Sequence, residues 1–403
     1  MRAGQAWLGV DFGTSNTVAL VGLPGREPRP LLFDGSPLLP SAVCVDSGHR
    51  LLAGRDALHL AAVHPEALEL HPKRCIDDGL VLLGEREIPV GELIGAVLRR
   101  VAQEAVRVGE GPPAGTVLTC PAGWRQPRRE TLLQAAGSVL PDVRLMAEPV
   151  AAAGYFVEVA GSRVPVGGCA VVYDLGAGTF DASVVRRTRD GFEVLAAEGV
   201  PDSGGLDIDA AIVAYLGATV GAGAAPAWQR LMRPQSPSER RASRQLWDNV
   251  RAAKEMLSRA TATMVYVPSL DAEAPLGREQ LDELARPVLD RTIATTRAAL
   301  RAAGVATDQV TAVLLTGGSS RLTAVPTLVH QALGVVPSIV DQPELAVAEG
   351  ATRAWPSLTG QPSLTGQPSR SGEPSLTGRP APVPALLDAV PPQLDAAPWP
   401  QPA

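Results

Sequence analysis

Lysine is nearly missing from this chain: of 36 basic residues only Lys73 and Lys254 are lysines, and the others are arginine. Aromatic residues are also few, at 4% of 403 positions. The net charge is −6 and no Lys/Arg run builds a basic face, which argues against nucleic acid as a partner. Cys44, Cys75, Cys120 and Cys169 form no C-x-x-C pair, and five scattered histidines give no zinc spacing. Small buried hydrophobes in a reducing compartment is the reading left for the cysteines. No window approaches the roughly 18 apolar residues of a membrane helix. The opening MRAGQAWLGVDFG enters a strand without a signal-peptide stretch. These absences predict a soluble, cytoplasmic protein without membrane attachment.

What is present begins with two phosphate-type loops. Val10-Asp11-Phe12-Gly13-Thr14-Ser15-Asn16-Thr17 follows the apolar run from Trp7, and Asp174-Leu175-Gly176-Ala177-Gly178-Thr179-Phe180-Asp181 follows the run from Cys169 to Tyr173. Each run reads as a buried strand. Each loop then sets an acid at the strand end and glycines that let backbone N–H groups close on an anion. One such loop arises by chance; two predict similar lobes gripping one nucleotide, ATP with Mg²⁺.

Between them, Leu93, Val97, Leu98, Val101 and Ala105 recur at helical spacing and predict an amphipathic helix over 92–108. A strand over 116–119, a helix over 128–139, a short strand near Leu145 and a helix after Pro149 follow. Farther on come helical zones over 240–260 and 278–303, the latter stopped by Gly304, and a buried strand over 312–316. The alternation predicts an α/β fold. From Pro356 the chain repeats P-S-L-T-G-Q and related hexads, a composition that buries no core and predicts disorder. The expected division is a first lobe over 1–165, a second over 166–355 and a tail over 356–403.

The motifs GVDFGTSNT at 9–17, PKR at 72–74, VLTCPAGWRQPRRET at 117–131, AEPVAAAGY at 147–155, VVYDLGAGTFDAS at 171–183, SGGLDID at 203–209, RAAKEMLS at 251–258 and LLTGGSSRL at 314–322 stand in one order. In that order the chain resembles the ATPase domain of the 70-kilodalton heat-shock (DnaK-type) chaperones, within the actin-like ATPase superfamily. The resemblance implies two lobes, each on a ribonuclease-H-like mixed sheet, with ATP or ADP in the central cleft. It implies that Asp11 and Asp174 hold hydrated Mg²⁺, that Gly13, Thr14 and Ser15 cradle one phosphate, and that Gly176, Ala177, Gly178 and Thr179 cradle the next. Lys73 would reach the γ-phosphate, with Glu148, Asp181 and Thr179 acting on the attacking water. Gly204, Gly205, Lys254, Ser258, Gly317, Gly318, Ser319, Arg321 and Glu344 would surround the nucleoside. Pro121 and Arg129 correspond to the family's relay out of the nucleotide site.

Departures accompany the match. The family has Glu where this chain has Arg251, Arg where it has Glu255, Gly where it has Ala177, Glu where it has Leu206 and Asp where it has Glu344. Arg251 and Glu255 have the i,i+4 spacing of a helical ion pair. Ala177 is harmful only if its site needs positive φ or close backbone approach. The family's peptide-binding sandwich and lid find no counterpart after Trp355, so the expected function is a slow ATPase switch that acts through a co-chaperone, an exchange factor or a separate substrate-binding subunit. The alternatives are a non-catalytic nucleotide-dependent binding module and, from the shared loops, an MreB-type filament protein.

Overall fold

Strict alternation positions the first strand, β1 (Trp7–Phe12): Leu8, Val10 and Phe12 enter one core, while Trp7 and Gly9 face a second layer. The computed structural model to which it belongs describes residues 6–109 and 111–358. Residues 356–358, the first of the expected tail, are helical rather than irregular, and 359–403 lie outside the described residues. With β2 (Asn16–Leu23), β3 (Arg26–Pro30), β4 (Leu38–Pro40), β5 (Thr116–Cys120) and β6 (Val143–Ala147), β1 forms a sheet in the order β6-β5-β1-β2-β3, with β4 also on β2. A second sheet joins β7 (Cys169–Leu175), β8 (Phe180–Arg187), β9 (Phe192–Val200) and β10 (Val310–Thr316) in the order β9-β8-β7-β10.

The two sheets repeat one design. Each central strand, β1 or β7, has an antiparallel hairpin partner on one side and a parallel strand on the other. Hairpin pairing needs only a short loop, so each aspartate loop is the turn between two adjacent strands. The parallel neighbour arrives by a long crossover. This leaves the carboxyl end of the central strand open, the place where mixed and parallel sheets receive ligands.

Helices α1 (Val90–Gly109), α2 (Gln126–Gly137), α3 (Glu148–Glu158), α4 (Gly205–Thr219), α5 (Pro237–Met256), α6 (Arg278–Ala303), α7 (Ala324–Leu333) and α8 (Ala346–Leu358) cover the sheets. Their ends follow local chemistry. Ser236 and Glu239 form a capping box at the start of α5, and Gly304 closes α6 at φ 65°. Three cores result. One lies beneath the first sheet and α1, a second beneath the second sheet with α4, α5 and α6. The third is the layer between the sheets, where α3 and α8 meet Trp7 and Val117 on one side and Ala170, Val172 and Leu314 on the other.

Residues of α8 were expected with the second lobe, but the helix packs on β1, β2 and β5 of the first sheet. The Trp7 indole N–H donates to Thr352 O at 2.7 Å. A Cβ on Gly350 would overlap the Ala151 carbonyl, so only glycine lets α8 approach α3 this closely. The four cysteines are free; Cys44 and Cys120 are buried, whereas Cys75 and Cys169 are only partly so. No single helix among the described residues is long and apolar enough to cross a membrane.

Candidate nucleotide site

The open ends of β1 and β7 converge on a cleft of about 310 Å³, the lower range of small-ligand sites. On the first side, Asp11 stands one residue before the end of β1, and its Oδ1 accepts from Thr119 Oγ1 at 2.8 Å. The loop that follows is tied from two directions. Ser41 donates through Oγ to Gly13 O at 2.8 Å and through its N–H to Ser15 O at 2.9 Å. His71 Nδ1 lies 3.2 Å from Thr14 O and 3.5 Å from Ser15 Oγ. Burial holds this imidazole below its usual value. Since a carbonyl only accepts, the proton sits on Nδ1 and is donated to Thr14.

On the second side, Asp174 stands one residue before the end of β7, and the next turn is closed by Gly176 N–H donating to Thr179 O at 3.1 Å. The amino end of α4 clamps the same loop: Gly205 N–H donates to Gly176 O at 3.0 Å and Leu206 N–H to Ala177 O at 2.7 Å. Ala177 keeps φ outside the left-handed region, so its methyl adds no backbone strain. Thr179 Oγ1 donates to Asp181 Oδ2 at 3.3 Å.

At the centre, Lys73 Nζ meets Glu148 Oε1 at 2.9 Å with both side chains largely buried. Glu148 is the first residue of α3, and Pro149 occupies the first helical turn, where its missing N–H costs nothing. Burial pushes the Glu148 carboxyl up to about 7; Lys73 opposes this, and Asp11 and Asp181 reinforce it. Asp174 lies well above the usual carboxylate range, through burial and the nearby charges of Glu148, Asp181 and Asp11. Asp181 is also raised by burial. Burial alone would lower Lys73, but Glu148 and Asp11 carry it above its ordinary value. Four carboxyls thus surround one ammonium, an excess of negative charge that a divalent cation neutralises. Among the described residues no cluster of three or more His, Cys, Asp or Glu forms a metal cage. Asp11 and Asp174 therefore suit a cation that takes few protein ligands and completes its shell with water and phosphate, as Mg²⁺ does.

The far end of the cleft is lined by Ser258, Gly317, Gly318, Ser319, Arg321 and Glu344. Gly317 has φ 81°, and a Cβ there would overlap Leu175 O and crowd the Asp174 carboxylate. Arg321 donates to Asp341 O at 2.6 Å and pairs with Glu344 at 3.0 Å. Lys254 is buried, with Nζ 2.7 Å from Asp209 Oδ1 and donating to Gly205 O at 2.7 Å. Arg251 does not pair with Glu255 as its spacing suggested; its Nε lies 3.9 Å from Asp209 Oδ2, because a buried carboxylate on α4 outcompetes an exposed one on the same helix. Of the site residues expected from sequence, only Gly178 and Gly204 stand behind the cleft wall. Gly178 packs on Thr14, and Gly204 lies against the Ala177 carbonyl. Sequence reasoning gave no role to His71, Ser41, Thr119 or Asp209, whose partners lie far away in the chain.

A family model described as Hsp70 protein matches residues 81–363. A chaperone protein HscA homolog of Acidithiobacillus ferrooxidans is 32% identical over 382 residues, covering 88% of this chain and 58% of that protein. The HscA homologs of Azotobacter vinelandii and Pseudomonas aeruginosa are 32% identical over 381 and 378 residues, with the same coverage. The chain therefore spans about 58% of the length of these relatives. Hsp70-family proteins bind ATP or ADP with Mg²⁺, and the repeated sheets with an acidic loop at each open end are the actin-like ATPase arrangement. The chain belongs to the Hsp70 family.

Proposed function

We propose that this chain binds ATP with Mg²⁺ between its two sheets and hydrolyses it slowly to ADP, as a cytoplasmic conformational switch that a protein partner reads. The observation that carries this reading is the buried Lys73–Glu148 pair standing among Asp11, Asp174 and Asp181. A bound Mg²⁺ would screen phosphate charge, held by Asp11 and Asp174. Lys73 keeps donors free beyond the one given to Glu148 and uses them to hold the terminal phosphate. Glu148, raised toward neutrality, is matched to accept a proton from the attacking water. Water oxygen bonds to the γ-phosphorus, the bond to the β–γ bridging oxygen breaks, and ADP leaves with the electron pair. Thr179 and Asp181 orient the water from the second side.

Lys73→Ala and Glu148→Gln are each expected to lower turnover about 10²-fold or more, measured as phosphate release at saturating ATP. Wild-type turnover no faster than either variant overturns the enzyme reading. A second reading, a nucleotide-dependent binding module without turnover, draws support from Arg251, Glu255 and Leu206 in the cleft wall. Calorimetric ATP binding without phosphate release selects it. Partner dependence is tested by affinity capture in ATP against ADP, with a partner retained in one state only as the expected result.

A further inference from the structure

Lys73 has no helix or strand beneath it. It stands in a run of turns over 72–78, so its ammonium must be fixed by what surrounds it. Glu148 is one constraint. The second is the ring of Trp124, whose centroid lies 5.5 Å from Lys73 Nζ, within the reach of a cation–π contact. We infer that Trp124 is a positioning residue for Lys73, holding the ammonium through its ring face; the inference rests on the ATPase reading above.

Trp124 is itself fixed. It follows the Cys120-Pro121 end of β5, and its backbone N–H donates to Pro121 O at 3.1 Å. Two residues later α2 begins, and Arg128 in its first turns lies 5.9 Å from the same ring. Arg128 pairs with Asp77, its Nε donating to Oδ1 at 2.9 Å. The segment carrying Lys73 is therefore gripped twice, at Lys73 through Trp124 of the loop and at Asp77 through Arg128 of α2. The chemistry of the grip matters. A carboxylate holds an ammonium by taking one of its hydrogens and cancelling its charge. An aromatic face attracts the charge and takes none of the directed donors, so they remain for phosphate oxygens. With the lysine side chain only 13% exposed, little water competes for it.

The test uses the full chain labelled with ¹³C-lysine. Two lysines give two sets of ε-methylene signals, and Lys73→Arg assigns them. The Lys73 signal is expected to be displaced by the indole ring current, to return toward its ordinary position in Trp124→Leu and to stay displaced in Trp124→Phe. In the same proteins Trp124→Leu is expected to lower kcat about threefold to thirtyfold with KM for ATP within about twofold, and Trp124→Phe to restore most of the rate. An undisplaced Lys73 signal in wild type, or Trp124→Leu turnover equal to wild type, overturns the inference. If wild type releases no phosphate, the ATPase reading fails, and the resonance comparison still decides whether Trp124 holds Lys73.

Discussion

Both lysines of this arginine-rich chain are spent on buried carboxylates, Lys73 on Glu148 and Lys254 on Asp209. Removing one member of a buried pair leaves a charge without compensation. Asp209→Asn is therefore expected to destabilise the fold by about 3 kcal/mol, read from urea unfolding, with Asp209→Asn/Lys254→Met recovering much of the loss. The Glu148 carboxyl lies above its ordinary 4.5, at about 7. A group raised on folding contributes stability that is complete below the unfolded value and lost as pH rises through the folded one. Without nucleotide, the melting temperature of wild type relative to Glu148→Gln is expected to fall between pH 5 and pH 8. At the nucleoside end, Glu255 lines the cleft where the family stacks an arginine. Glu255→Arg is expected to tighten ATP binding about twofold to fivefold by calorimetry. At this scale the sequence was legible where chemistry is local: acids at strand ends, glycines in turns, two lysines standing out against arginine. It was silent on His71 and Ser41, since a partner 57 or 28 residues away leaves no periodic trace.

Elements whose own residue pattern decides their state are legible in the sequence. The helix expected over 278–303 has those bounds, and β2 and β3 meet in a tight turn at Pro24-Gly25. Prolines misled at two helix starts. Pro127 and Pro149 lie inside the first turns of α2 and α3, which begin earlier than expected, because proline suits a position whose N–H has no partner. Which sheet a helix covers is another matter. The apolar stripe of α8 says that it docks, and only the meeting of Gly350 with Ala151 and of Thr352 with Trp7 says where. Gly350→Ala is expected to cost about 1–3 kcal/mol in urea unfolding through overpacking against α3, whereas Gly123→Ala, with open space around it, is expected to cost far less.

At the scale of the molecule, the α/β class and the repeated loops followed from sequence, but the way the two sheets share a layer did not. One strut joins elements of the two outer cores: Arg244 of α5 donates to Leu58 O at 3.1 Å. Arg244→Ala is expected to speed ADP release about threefold to tenfold, the loss of one charged hydrogen bond, measured by stopped flow with a fluorescent ADP. The layer between the sheets has its own mechanical character. Its facing helices present Ala151, Ala152, Ala153, Ala346, Ala351 and Gly350, side chains with no χ angles to reset, beside the larger Phe156, Val347 and Trp355. Larger interlocking side chains would have to leave one set of rotamers and find another whenever the sheets shifted. Methyl groups pass one another without that barrier, so any turning of one sheet against the other would meet its resistance at Phe156, Val347 and Trp355 rather than along the rows of alanine.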